Sequence, residues 1–273
     1  MKFATITDDN QWRYSLVNIF ALYALKLKYT FYIYTTTQYA KECILDTLSK
    51  FPQLFNFFGQ VHVNVIPSFQ ETFNIEVANT NHEWISIATL DRLVIPTLER
   101  HKNDRFVWLD VDTLIFNPDI ANLFTSNTIT SNKGIAAVST DTLLHKHILN
   151  FSNSPNLLSL ANTNKSTFNA GVCVYDIYKF NIEEYTQHIR DVFERNNGEY
   201  TNDEIILNLY DQEYQSIPGR YNCQPYIKYI PAQQSIIHFT GAEYKPWNKN
   251  IYTSGVYLKY YKLWEYYFAC LFS

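Results

Sequence analysis

The chain has 273 residues, of which 47% are hydrophobic and 17% aromatic, so it can bury a large core and is not expected to be disordered. Its formal net charge of −4 offers no basic field for a nucleic-acid backbone, which excludes nucleic acid as an expected partner.

Strand-like and helical patterns alternate through the first half. Short apolar runs predict strands, and apolar residues at helical spacing predict helices. We expect strands at 3–7, 30–35, 61–66 and 105–109, and helices at 12–26, 39–51 and 84–98. Such alternation favours an α/β fold with a mostly parallel sheet and helices on both faces.

The second half is more irregular. Strands are predicted at 135–138, 168–175 and 236–239, helices at 177–196 and 203–210, and a long polar loop at 152–167. Such loops are often lids or acceptor surfaces. The aromatic segment 256–272 predicts a helix packed on the core, with attachment to a membrane surface as the alternative. We expect one domain over 1–250, with a C-terminal helix within 251–273 packed on it.

Four widely spaced cysteines argue against zinc or a redox dithiol and fit a reducing compartment. The first residues enter a strand-like run without the longer apolar stretch of a secretion signal. No run approaches the roughly 20 apolar residues that cross a bilayer. The expectation is a cytoplasmic protein without a transmembrane segment.

Two acids one residue apart follow the strand at 105–109. Strand alternation would place Asp110 and Asp112 on one face and turn Val111 inward. Neighbouring carboxylates repel unless a cation lies between them, and Mg²⁺ or Mn²⁺ with substrate phosphates is the usual solution. The alternative is that both acids cap the turn before Asn117-Pro118.

A histidine could complete such a site, because Mn²⁺ accepts an imidazole nitrogen more readily than Mg²⁺ does. His238 has the best setting, since it closes a short apolar run. A hydrogen-bonded core histidine is the alternative. His101 is predicted in a surface turn, and His145 and His147 on an exposed helix.

A short turn follows His238. Gly241 permits close approach of the backbone, and Lys245 with Trp247 places a cation and a flat ring on a turn stiffened by proline. This turn could clamp a diphosphate. The alternative is an ordinary surface lysine beside a packed tryptophan.

In their order along the chain, these motifs resemble retaining glycosyltransferase family 8, the group of glycogenin and bacterial lipooligosaccharide galactosyltransferases. The similarity covers about residues 3 to 248. It implies one GT-A-type, Rossmann-like domain, a UDP-sugar donor, Mn²⁺ with Mg²⁺ as the alternative cation, and a hydroxyl acceptor.

The resemblance also implies roles at the nucleotide and the cation. Asp8 and Asn10, in the turn that begins at Thr7, would contact the uracil and ribose, and Tyr14 would stack on the base. Arg92 would approach the donor sugar and phosphates. The metal motif Asp110-Val111-Asp112 would bind the cation with His238 as third ligand, Asp110 also lying near the ribose or sugar, and the diphosphate would meet Gly241, Lys245 and Trp247.

Donor-sugar contacts are implied at two segments. Asn169, with the backbone at Ala170 and Gly171, matches the stretch that binds sugar hydroxyls. Asp203 and Glu204 match the motif beside the reacting carbon, where Asp203 would position and stabilise and Glu204 is the residue to test as a nucleophile. Front-face return and double displacement both stay open, and the alternative is an N-cap and first-turn acid.

Three departures from the family pattern stand out. Glu204 occupies a position that usually carries Gln. The turn from His238 to Lys245 is one residue longer than usual. The tyrosine that glycogenin glucosylates aligns with Ile227, flanked by Tyr226 and Tyr229, so self-glucosylation stays open.

The predicted activity is transfer of a hexose, glucose first and galactose second, from a UDP-sugar with retention at the anomeric carbon. A degenerate protein that binds sugar nucleotides or glycans is one alternative. A haloacid-dehalogenase-like phosphatase is less favoured, since Leu114 stands where that class needs a hydroxyl. A homodimer stays open.

Overall fold

A computed structural model of the chain describes residues 1–52, 59–77, 87–102, 104–125, 131–151, 155–225, 233–248 and 257–272. The chain forms two compact units. The first contains residues 1–66, 106–125 and 218–273, and the second contains 67–105 and 126–217. The predicted division into 1–250 and 251–273 stays a prediction.

The first half of the chain alternates strands with helices. In chain order these are β1 (Lys2–Thr7), α1 (Val17–Ala24), β2 (Tyr29–Thr35), α2 (Gln38–Ser49), β3 (Gly59–Val65), α3 (Phe69–Phe73), β4 (Arg105–Leu109) and β5 (Thr113–Ile115). 3-10 helices lie at Tyr14–Leu16, Ile87–Thr97, Glu99–His101 and Pro118–Phe124.

The second half continues with longer strands and amphipathic helices. They are β6 (Ile135–Leu143), α4 (Leu144–Phe151), α5 (Pro155–Leu158), β7 (Ser166–Asp176), α6 (Ile182–Arg195), α7 (Asp203–Tyr210), β8 (Gln215–Ser216), β9 (Ile236–His238) and α8 (Leu258–Phe272). 3-10 helices lie at Ile177–Lys179, Gly219–Tyr221 and Ala242–Tyr244.

Most predicted elements are confirmed within a few residues, and two differ. The helix predicted at 84–98 is a 3-10 helix from Ile87, with Pro96 inside it, and 84–86 lie outside the described residues. The loop predicted at 152–167 is interrupted by α5. Short elements such as β5 and β8 were not predicted, because two or three residues carry no periodicity.

In the first unit, four parallel strands lie in the order β3-β2-β1-β4. Phe3 pairs in register with Phe31 on one side and Val107 on the other, and all three are fully buried. Helix α2 starts where Thr37 accepts a hydrogen bond from the Ala40 amide. A separate antiparallel ribbon joins β5 to β9.

In the second unit, β6 pairs antiparallel with β7 and parallel with β8. The β6–β7 register jumps between the pairs Ala137–Cys173 and Ser139–Phe168. On β6 that step covers two residues and on β7 five, so β7 bulges by three residues there. Bulges of this kind often lie beside functional sites, because they re-aim side chains.

The fold class is confirmed. Apart from the β5–β9 ribbon, the pairings β1–β2, β1–β4, β2–β3 and β6–β8 are parallel, and β6–β7 is antiparallel. The chain is therefore an α/β protein with a mostly parallel sheet. Among the described residues, no helix combines the length and apolar character needed to span a bilayer. All four cysteines are free.

Candidate functional site

The acid pair lies in a tight turn between β4 and β5. Thr113 closes it, because its amide and its hydroxyl donate to the Asp110 carbonyl at 3.2 and 2.7 Å. Val111 is buried, as expected. The acids therefore converge through this turn, whereas the sequence prediction invoked alternation along a strand that in fact ends at Leu109.

His238 faces both acids from the next strand of the ribbon. Its Nε2 lies 3.3 Å from Asp112 Oδ1 and 3.7 Å from Asp110 Oδ2. Backbone pairing sets this approach, since Thr113 pairs with His238 and the Phe239 amide donates to the Asp112 carbonyl at 2.9 Å. We call Asp110, Asp112 and His238 the metal cluster.

Two neighbours orient the metal cluster. Trp108 Nε1 donates to Asp110 Oδ1 at 2.7 Å, which leaves Oδ2 directed towards His238. Buried Asn222 places its Oδ1 3.1 Å from His238 Nδ1, so that nitrogen carries the proton and donates. In the neutral ring, Nε2 then presents its lone pair to both carboxylates.

Lys245 is the cation nearest Asp112, and its Nζ donates to Asp112 Oδ2 in a short hydrogen bond. Burial of Asp112 opposes its ionisation, but the charge and hydrogen bond of Lys245, together with those of His238 whenever its ring is protonated, outweigh burial and hold the pKa of Asp112 below its usual range. Asp112 is therefore a permanent anion at neutral pH.

The donor set of the metal cluster fits a divalent cation. One ligand atom from each residue lies within 4.8 Å of the others. At that separation two carboxylates repel by roughly 3 kcal/mol at an effective dielectric constant of about 20. The lone pair of His238 Nε2 faces the two carboxylates and adds to this repulsion. A divalent cation between the three groups would relieve it.

The turn after β1 belongs to the same unit and is preformed. Asp8 Oδ1 accepts hydrogen bonds from the amides of Asn10 and Gln11 at 2.9 and 2.8 Å. Asp9 Oδ1 accepts a short hydrogen bond from the hydroxyl of Thr37, the N-cap of α2. At the end of β1, Thr7 is buried.

Tyr14 and Trp247 stack on each other, with ring centroids 3.9 Å apart and planes 2° from parallel. One face of the Tyr14 ring is therefore covered by the tryptophan of the predicted diphosphate turn. That turn begins at Gly241, whose φ of 78° lies in the left-handed region that favours glycine.

In the second unit, Arg92 belongs to the 3-10 helix Ile87–Thr97, and its buried side chain reaches the start of helix α7. Its Nη1 donates to Asp203 Oδ2 at 2.8 Å, and its Nη2 donates to the Ala170 carbonyl at 2.6 Å. The arginine thus ties the β7 bulge to the first residue of α7. Asp203 also lies in the first turn of α7, and the positive end of the helix dipole there favours the ionised carboxylate.

Glu204, the next residue, is held on both oxygens. Its Oε2 accepts from Asn169 Nδ2 and from the Ala170 amide, each at 2.9 Å, and its Oε1 lies 3.2 Å from His147 Nε2. Asn169 Oδ1 in turn accepts from the Gly171 amide at 3.2 Å. The helix-start cluster is defined by Arg92, His147, Asn169, Asp203 and Glu204.

Comparison with known proteins now adds to this geometry. The model of "Glycosyl transferase family 8" matches residues 3–251. The chain belongs to glycosyl transferase family 8. A search of curated protein sequences found no match.

Solved structures show the same fold at low identity. The galactosyltransferase LgtC, in complex with donor and acceptor sugar analogs, is 15% identical with a TM-score of 0.73, covering 100% of this chain and 97% of that one. The bifunctional glycosyltransferase WbbM is 17% identical with a TM-score of 0.66, covering 98% and 49%. GlyE of Streptococcus pneumoniae is 17% identical with a TM-score of 0.62, covering 99% and 62%.

Most predicted site residues of each unit lie together. The metal cluster, Lys245 and the Tyr14–Trp247 pair lie in the first unit, and Arg92, Asn169, Ala170, Gly171, Asp203 and Glu204 lie in the second. Tyr226 and Tyr229, the predicted alternative acceptors, lie outside the described residues.

Two histidine predictions were wrong. His147 is buried and contacts Glu204, although an exposed helix was predicted. His101, predicted in a surface turn, is fully buried. The role of Asn222 was not predicted from the sequence. Its contact with His238 depends on the bridge between Cys223 and Ile237, which no local sequence pattern indicates.

Proposed function

We propose that this glycosyltransferase moves a hexose from a UDP-sugar to a hydroxyl acceptor with retention at the anomeric carbon, and that it needs a divalent cation. The observation that carries the proposal is the metal cluster, in which two carboxylates and an oriented imidazole nitrogen converge. Glucose is the first donor to test and galactose the second, both by family resemblance.

Asp110, Asp112 and His238 would hold the cation. Bound there, Mn²⁺ or Mg²⁺ would neutralise the negative charge that develops on the leaving diphosphate. Mn²⁺ is favoured because one of the three ligands is an imidazole. The part played by Asn222 is to keep Nε2 unprotonated and aimed at the cation.

Lys245 supplies a second positive charge. Its ammonium now pairs with Asp112, and it stands on a turn that begins at Gly241. We propose that it donates to the diphosphate when the donor is bound, since an ammonium with three N–H groups can contact two anionic partners at once.

The nucleoside would lie at the turn after β1. Thr7, Asp8 and Asn10 are the proposed contacts for the uracil and ribose, and their turn is rigid before any ligand arrives because Asp8 already closes it. Tyr14, whose ring also contacts Trp247, Trp264 and Phe268, is proposed to contact the base.

The helix-start cluster is proposed to act on the donor sugar. Asn169 and the backbone at Ala170 and Gly171 would bind sugar hydroxyls, and Arg92 would approach the sugar and phosphates. Asp203 would stabilise positive charge at the anomeric carbon electrostatically. Glu204 is the group to test as a nucleophile.

The test is a panel of UDP-sugars with Mn²⁺, scored for UDP release and for mass added to the protein. We expect release with UDP-glucose or UDP-galactose that EDTA abolishes and Mn²⁺ restores. An added hexose mass would indicate self-glucosylation. No turnover with any donor would contradict the proposal, and release of phosphate from a monoester with Mg²⁺ would favour a phosphatase.

A further inference from the structure

Helix α4 brings a buried histidine to the first turn of α7. His147 Nε2 lies 3.2 Å from Glu204 Oε1, and the two side chains are only 9% and 19% exposed. Neither side chain is at the surface, so solvent cannot readily replace this contact. It is an interaction between two functional side chains within the second unit.

The other oxygen of the same carboxylate is also engaged. Glu204 Oε2 accepts from Asn169 Nδ2 and from the Ala170 amide, each at 2.9 Å. Three elements therefore meet at one carboxylate: the bulge of β7, helix α7 and helix α4.

A glutamine would change what His147 has to supply. Its side chain has one acceptor oxygen, and its second atom is an NH₂ donor. If the oxygen accepted from Asn169 and Ala170, the NH₂ would face His147 Nε2, which could accept from it only with the ring proton on Nδ1. A carboxylate offers an acceptor on both sides, but burying its charge is costly unless both oxygens have donors. A polar group beside Oε1, here His147 at 3.2 Å, therefore compensates the charge of the glutamate.

We propose that His147 is a positioning residue for Glu204. Its Nε2 lies 3.2 Å from Glu204 Oε1 without hydrogen-bond geometry in this structure, and a proton on that nitrogen would compensate the buried charge and hold the carboxylate against the β7 bulge. The resemblance to the family implies a neutral glutamine at the position of Glu204. The effect on catalysis rests on the proposed function, whereas the pairing itself does not.

The experiment is a double-mutant cycle with His147→Leu, Glu204→Gln and both together. In the wild-type background, loss of His147 should lower kcat for UDP-hexose by roughly 10- to 100-fold, the effect of removing the polar partner of a buried charge, with KM changed less than about threefold. In the Glu204→Gln background the same change should cost less than about threefold. His147→Gln keeps an N–H donor in place and should restore most of kcat.

The unfolding equilibrium in urea gives a second readout that needs no turnover. We expect His147→Leu and Glu204→Gln to be coupled by about tenfold in the unfolding equilibrium constant. Lys146→Gln, a change at the neighbouring position of the same helix, is the matched control and should alter neither readout.

The outcomes separate the pairing from the proposed function. Equal losses of kcat in both backgrounds, or coupling in urea without coupling in kcat, would overturn the positioning role. If no UDP-sugar is turned over by the wild-type protein, the proposed function fails, and the urea cycle alone decides the pairing: coupling supports it and additivity overturns it.

Discussion

The metal cluster and the helix-start cluster both gather acidic side chains, but they satisfy them differently. In the helix-start cluster Asp203 pairs with Arg92, and Glu204 accepts from Asn169 and the Ala170 amide and lies beside His147. In the metal cluster Trp108 and Lys245 each donate to one acid, while the other carboxylate oxygen of each acid faces the lone pair of His238.

This difference indicates in which cluster the protein itself compensates the acids and in which a bound cation would do so. Paired buried charges are costly to break, because removal of one partner leaves the other uncompensated. Converging acids are costly to keep, because they repel until a cation arrives. Substitutions in the helix-start cluster should therefore reduce stability, and substitution of Asp110 in the metal cluster should reduce activity while stability hardly changes.

The largest expected effect is on turnover. Asp110→Asn removes one anionic cation ligand but keeps an acceptor for Trp108, so UDP-hexose turnover should fall roughly 10²- to 10³-fold while the free energy of unfolding changes by less than about 0.5 kcal/mol. Steady-state UDP release and urea unfolding measure the two quantities. Asp46→Asn, in an exposed pair with Lys50, is the control. A large loss of stability would contradict the contrast between the clusters.

A large loss of stability is expected for Arg92→Met. The Arg92 and Asp203 side chains are 4% and 14% exposed. Loss of the Arg92 guanidinium should lower the free energy of unfolding by about 3 kcal/mol, because it leaves the Asp203 carboxylate uncompensated. The comparison is Arg220→Met, whose pair with Asp119 is more exposed at 32% and 15% and should cost under about 1 kcal/mol. Equal losses in urea would show that burial of the pair does not matter.

A smaller effect is expected where a neutral side chain orients a cation ligand. Asn222→Leu removes the acceptor for His238 Nδ1, so Mn²⁺ affinity should weaken about 10- to 100-fold, as measured by calorimetry on the protein without donor. Asn222→Asp keeps an acceptor and should bind Mn²⁺ nearly as well as the wild type. Unchanged Mn²⁺ affinity in the Asn222→Leu variant would mean that Asn222 does not orient the imidazole ring of His238.

Titration of a buried histidine gives the smallest effect and concerns the second unit. Burial, with the charge of Lys133, lowers the pKa of His188, whose Nε2–H donates to the Ile206 carbonyl at 3.1 Å. His188 is therefore protonated at a higher pH in the unfolded chain than in the folded protein. The free energy of unfolding consequently decreases as pH falls below about 6.5. Between pH 7.5 and 5.5 in urea, wild type should lose more stability than His188→Gln, and equal losses would contradict this account.

The sequence allowed prediction of the residues that carry chemistry but not of those that orient them. Asp110 and Asp112 follow an apolar strand, and His238 closes another, so local pattern was enough to propose the metal cluster. His147 and Asn222 act through distant contacts. Helix periodicity alone could not tell that α4 turns His147 inward, because that depends on what packs above the β7 bulge.

The bulge itself illustrates the same limit. Its residues were recognised by family resemblance as sugar-binding, yet the three extra residues of β7 become visible only when its register with β6 is counted. Local propensity predicts that a strand exists there, and tertiary pairing decides where it departs from regular geometry.

The most direct test of the metal cluster is anomalous diffraction from crystals soaked in Mn²⁺ and UDP. We predict one manganese peak bonded to Asp110, Asp112 and His238 Nε2, with Asn222 still accepting from His238 Nδ1. A peak bound elsewhere, or an imidazole turned away from an ion held by the two acids, would contradict the account.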